Sequence, residues 1–245
     1  MYSILLSLSI ALLLGFSGTV FGVWGWGWAI LFSALLLVGV WILIARRLAT
    51  RLQPAMMQVQ RQMEAGRPEL AMQTMEDMLP LGKWVPMLKG QLLAQMGILA
   101  YHMGKKDKAF ELFGGASLRN ADAQLMLACM RYKAGETDRA LSILELTSKI
   151  NKKHALLHNT YAWMLHKQGK ADEAQAALAA FLKKDADNAP TKDNMLRLQN
   201  RTRMNMQQFD MQWYALGLEQ PPQAMGQMRR APKGFREPPK GKKHG

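Results

Sequence analysis

The chain has 245 residues, a formal net charge of +14 and one cysteine, Cys129. That length admits one ordinary core or a short helical array but not several domains, and a lone cysteine excludes a disulfide framework. Excess positive charge points to nucleic acid or an anionic surface only where it is clustered, so its distribution matters more than its sum.

Residues 1–45 contain no Asp, Glu, Lys or Arg. A spanning helix needs roughly 20 apolar residues for about 30 Å of hydrocarbon, so this block suits two spans. We expect antiparallel helices over Tyr2–Val20 and 28–45, forming a transmembrane hairpin. The break falls at Gly22-Val23-Trp24-Gly25-Trp26-Gly27-Trp28, where glycines turn the chain and indoles suit the headgroup level. A cleavable signal peptide is the rival reading, but the basic leader is missing and a second apolar stretch follows. Arg46, Arg47 and Arg51 come next. Positive charge beside a span is retained in the cytoplasm, so residues 46–51 form a basic, membrane-orienting juxtamembrane segment. The expectation is a multi-pass protein of a bacterial inner membrane, with both termini and the helical domain cytoplasmic.

Beyond it the chain repeats. Gly104, Gly135 and Gly169 are each followed three residues later by an acid (Asp107, Asp138, Asp172), five later by alanine (Ala109, Ala140, Ala174) and nine later by an apolar residue (Phe113, Leu144, Leu178). Gly66, with Glu69, Ala71 and Met75, starts a degenerate fourth copy. Such a pattern implies a helix ending at each glycine in a left-handed cap, then a second helix whose early acid meets its positive dipole end. The alanine allows close helix approach. Expected pairs are 52–65 with 68–79, 88–103 with 105–117, 121–134 with 137–150, and 155–168 with 171–184.

Gly169-Lys170-Ala171-Asp172-Glu173-Ala174 resembles the inter-helix turn of the tetratricopeptide-repeat (TPR) family. The paired large and small sites of its first helix are matched by Tyr161 with Ala162, Leu127 with Ala128, and Met96 with Gly97. Arg131 and Gln62 depart from the pattern, standing where the family has an aromatic or apolar residue. The resemblance covers about half of the chain. The expected fold class is therefore all-α: the hairpin at 1–45, a TPR-type solenoid at 52–186, and a capping helix within 187–217, opened by Pro190 and carrying Met195, Leu198, Met206, Phe209, Trp213 and Leu216 at helical spacing. Residues 218–245, rich in Pro, Gly, Lys and Arg, read as a disordered basic tail.

Signals for chemistry are weak. His154 and His158 lie four apart, but Ala155 stands where a zinc protease has its glutamate and no third ligand is evident, so no metal is expected. Met72, Met75 and Met78 share a helical face and read as packing rather than a copper site. No phosphate-binding loop, dinucleotide fingerprint or nucleophile elbow occurs, so we expect no catalytic centre and no cofactor. The tail has only Phe235 for base stacking, which favours anionic lipid over nucleic acid as its contact.

The TPR resemblance implies a concave surface, built from the first helix of each pair, that holds a partner protein or peptide. Carried over by position, its contacts are Tyr101 and His102, then Leu125, Cys129, Tyr132 and Lys133, then Asn159, Trp163, His166 and Lys167. An aromatic and cationic surface suits an extended segment with apolar anchors and negative charge. The leading reading is a membrane-anchored scaffold or adaptor. The alternatives are a structural subunit of a membrane complex assembled through the hairpin, and a nucleic-acid or ribosome tether acting through the tail.

Overall fold

Helix ends in this chain follow its glycines and asparagines. The computed structural model describes residues 2–20 and 26–221; most of the expected glycine- and tryptophan-containing break, at 21–25, and the expected basic tail from 222 onward lie outside them. The elements are α1 (Tyr2–Val20), α2 (Trp26–Glu64), α3 (Pro68–Met78), a 3-10 turn (Leu79–Lys83), α4 (Leu88–His102), α5 (Lys106–Gly114), α6 (Ala121–Lys133), α7 (Thr137–Ile150), α8 (Ala155–Lys167), α9 (Ala171–Leu182), α10 (Ala189–Gln199), a second 3-10 turn (Met206–Phe209) and α11 (Asp210–Ala215). No strand occurs among the described residues. The chain divides into two units, residues 1–161 and 162–245, with the division inside α8.

Gly66, Gly104, Gly135 and Gly169 have φ between +67° and +83°. After each, the next N–H donates to the carbonyl five residues back: Arg67 to Gln62, Lys105 to Ala100, Glu136 to Arg131 and Lys170 to Leu165, at 2.8–3.0 Å. This is the left-handed cap that satisfies the last carbonyls of a helix, and an L side chain there meets the steric cost that glycine avoids. The acids Glu69, Asp107, Asp138 and Asp172 sit in the first turns of the following helices, where the dipole favours them. Ala71, Ala109, Ala140 and Ala174 are fully buried. α10 ends in the same motif with Arg201 at φ 54° in the glycine's place, and Thr202 N–H reaches Arg197 O at 2.8 Å.

In the first unit each helix packs on the next from α1 to α7, and α4 also meets α6. Met72, Met75, Met78, Leu92, Met96, Phe113 and Leu144 are buried there, so the methionine stripe is packing. In the second unit α9 packs on α10, with Leu178, Phe181, Leu198, Met206 and Trp213 buried.

Two expected boundaries are corrected. The second apolar segment was expected to end at Ala45 and a separate helix to begin at Leu52, but α2 runs for 39 residues without a break. Residues 46–53 are good helix formers apart from Thr50, and Pro54 is accommodated inside the helix at the cost of one hydrogen bond. The single capping helix over 190–217 is instead α10, a loop, a 3-10 turn and α11. Arg201 turns left-handed, and buried Asn194 fixes the returning chain by accepting the Asn205 N–H at 2.7 Å.

α1 and α2 are patterned the reverse of a helix pair in water. On α1, Ser3, Ser7 and Ala11, spaced by four, are buried, while Leu5, Leu6, Leu8, Leu12 and Leu13 face outward, Leu13 at 74% exposure. α2 exposes Trp28, Ile30, Leu31, Leu35, Val38, Trp41, Ile42 and Leu43. Among the described residues α2 alone, from Ile30, is long and apolar enough to cross a membrane. After Ala45 its character changes: Arg46, Arg47 and Arg51 are exposed, and Leu52, Ala55, Val59 and Gln62 form the less exposed side. Gln62 accepts a hydrogen bond from the Thr74 hydroxyl at 3.0 Å.

A Cβ added at Gly97 would lie 2.6 Å from the fully buried Phe113 ring, whereas one at Gly114 meets nothing within 4 Å. Gly97→Ala should therefore destabilise by about 1–3 kcal/mol, overpacking outweighing a helix-propensity gain of about 1 kcal/mol, while Gly114→Ala should be neutral or stabilising. Thermal unfolding of the detergent-solubilised chain, followed by circular dichroism, separates the two. Equal melting temperatures for the two variants would contradict this packing.

Candidate partner-binding surface

The sequence-predicted contacts separate by exposure. In the first unit Tyr101 and His102 close the last turn of α4, with their rings edge to face at 6.3 Å. Tyr101 is half-buried and His102 exposed. At the end of α6, Tyr132 is half-buried and Lys133 exposed. Cys129 lies within electrostatic reach of both Tyr101 and Lys133, and Lys106 within reach of Lys133, so the ends of α4 and α6 and the start of α5 share one locality. This locality is aromatic and cationic.

Leu125 and Cys129 are 1% exposed and Asn159 is fully buried, which removes them as direct contacts. The reason is packing between neighbouring helices. Asn159 donates from Nδ2 to Ala155 O at 2.9 Å, within its own helix. Burial pushes the Cys129 thiol up to about 12, against the opposing influence of Lys133, so it is protonated at neutral pH and lacks the thiolate of a nucleophile. Tyr101 is raised as well, first by burial and then by the neighbouring Cys129.

In the second unit Trp163 is also covered. Its ring packs edge to face on Trp213 of α11 at 5.2 Å, and the Lys167 ammonium sits 5.4 Å from its centroid. Trp213 is fully buried and donates its indole N–H to Glu219 at 3.0 Å. A predicted anchor for a partner is thus occupied by the chain's own C-terminal element. Sequence spacing placed Trp213 on an apolar face but gave no sign of what it would cover. His166 is half-buried, with no hydrogen-bond partner for its buried Nδ1, and Lys167 is exposed.

Arg131 packs on an aromatic ring while holding an ion pair. Its guanidinium lies 4.9 Å from the Phe110 ring centroid and bonds Glu136 at 2.6 Å. Glu136 also takes Arg139 at 3.0 Å; Arg139 and then Arg131 hold its carboxyl below the usual range. The flat cation stacks on the ring, as arginine does on aromatic faces.

The histidine pair is structural. His154 Nδ1 accepts the Leu157 N–H at 3.2 Å, capping α8, which leaves Nε2–H to donate to Asp122 at 3.0 Å. That bond lowers the Asp122 carboxyl. His158 is buried, and its Nε2 donates to Asn151 O at 3.3 Å. No cluster of three or more His, Cys, Asp or Glu suited to a metal occurs among the described residues.

Burial lowers the pKa of His158 below the ordinary histidine value, outweighing the hydrogen bond to Asn151. Below an unfolded-state pKa of about 6.5 the unfolded chain binds a proton that the folded chain refuses, so stability falls as pH drops through that value. Melting temperature should decline from pH 7 to pH 5 in the wild type, with a shallower decline in His158→Gln. Identical slopes would remove His158 as the cause. Comparison with family models and with curated proteins finds no match to this sequence.

Proposed function

We propose that this protein is a membrane-anchored adaptor that binds a partner polypeptide through the aromatic and cationic surface at the ends of α4 and α6, without chemistry of its own. The observation that carries the reading is the cluster of accessible Tyr101, His102, Tyr132, Lys133 and Lys106 on a rigid helical frame. Half-buried tyrosines supply contact area at low entropy cost, and the cations select an acidic segment.

In this reading the anchor is the antiparallel α1–α2 hairpin that precedes a TPR-type array, embedded with the helical domain on the cytoplasmic side. Outward leucines over an inward line of Ser3, Ser7 and Ala11 suit lipid as solvent, because small residues let helices approach where no hydrophobic drive exists between them. Exposed Arg46, Arg47 and Arg51 follow the apolar stretch, as the positive-inside preference requires.

A photo-crosslinking residue placed at His102 or Tyr132 of the full chain in its native membrane tests this reading. One polypeptide should be trapped from both positions, and Lys133→Glu should weaken its capture by about tenfold, the effect of losing roughly 1.4 kcal/mol. Trapping from Leu35 alone would favour the structural-subunit reading. Capture indifferent to Lys133→Glu would remove the acidic-segment specificity.

A further inference from the structure

The segment between α3 and α4 reaches the apolar hairpin. Leu79-Pro80-Leu81-Gly82-Lys83 forms a 3-10 turn, and Trp84-Val85-Pro86-Met87 leads into α4. The Trp84 ring packs edge to face on Tyr2 at 5.9 Å, and the Ser3 hydroxyl donates to the Trp84 carbonyl. Ser3, Trp41, Ala45, Leu48, Trp84 and Val85 line one open, almost wholly apolar depression. A loop from the helical array therefore sits beside the start of α1 and the last apolar turn of α2.

That position has a chemical meaning. Trp84 is 40% exposed and Met87 44%. Lys83 stands beside them, and every charged residue before Glu64 is basic: Arg46, Arg47, Arg51 and Arg61. Water is a poor solvent for this combination. The boundary of an anionic leaflet is a good one, since indoles settle at headgroup level and lysine and arginine meet phosphate there.

We propose that residues 79–87 are a second membrane contact, a loop seated in the anionic headgroup layer of the leaflet from which α2 emerges, with Trp84 as its anchor. This rests on the reading of α1 and α2 as membrane-embedded. The apolar exposure of the loop is continuous with that of the hairpin; Lys83 and the arginines of α2 are complementary to lipid phosphate, and of the two acids preceding the loop Glu76 is paired with Lys108. The first helical pairs are held to the bilayer at two places, through the body of α2 and through this loop.

The test uses the full chain in Cys129→Ala background, reconstituted into nanodiscs of phosphatidylcholine and phosphatidylglycerol. Spin labels are attached at Leu35→Cys on the exposed hairpin face, at Met87→Cys, and at Ser142→Cys on the exposed side of α7. Collision with oxygen and with a water-soluble nickel chelate reads depth. The expected order is Leu35 within the hydrocarbon, Met87 at the headgroup boundary with several-fold less chelate collision than Ser142, and Ser142 in water. Met87 as open to chelate as Ser142, with Leu35 deep, overturns the loop contact and leaves the embedded hairpin standing. Leu35 in water overturns both. Met87 shielded from chelate and oxygen alike means that protein, such as a second copy, covers the loop, which also overturns the proposal.

Discussion

Neighbour-on-neighbour stacking is the constraint on which the first unit depends. A pair of helices of about 30 residues buries too little apolar surface to fold alone, so each hairpin needs the next to cover its face. Gly97 against Phe113 shows how close the approach is: the absence of one methyl group is what lets the ring in. The same closeness explains why the inward side of α6 disappears from the surface. Leu125 and Cys129 serve the stack, and only the helix ends, with Tyr132 and Lys133, remain available to another molecule.

Polar and strained positions find local solutions. Arg131 presents a guanidinium that is flat enough to lie on Phe110 and charged enough to hold Glu136. Gln62, half-buried on α2, takes a hydrogen bond from Thr74. Arg201 takes a left-handed backbone that glycine would adopt without steric cost, and the loop after it is fixed from below by Asn194. Gln62 and Asn194 are tolerated out of water because each finds a hydrogen-bond partner there.

Much of the helix pattern was legible because its signals are local. The positive-φ glycines, the acid in the following first turn and the buried alanine are determined within a few residues of sequence, and they placed α3 to α9 closely. What was not legible depends on contacts remote in sequence. Nothing near Trp163 says that Trp213 will cover it, and nothing in the spacing of Leu125, Cys129 and Asn159 distinguishes a groove from a core. The break after Gln199 was hidden because Arg201 is a poor left-handed residue by local rules. The 79–87 loop offered prolines and a tryptophan, but its contact with Tyr2 and Ser3 bridges about eighty positions of the chain.

The uninterrupted α2 has a mechanical consequence. A flexible linker would let the first helical pairs swing freely beneath the apolar hairpin, whereas a continuous helix transmits rotation as well as distance. Each residue of an α-helix advances the azimuth by about 100°. One residue inserted between Ala45 and Leu52 would therefore turn α3 and the loop beyond it by roughly a quarter turn relative to the apolar segment. The length of this stretch is an angular setting, and its side chains can vary more freely than their number.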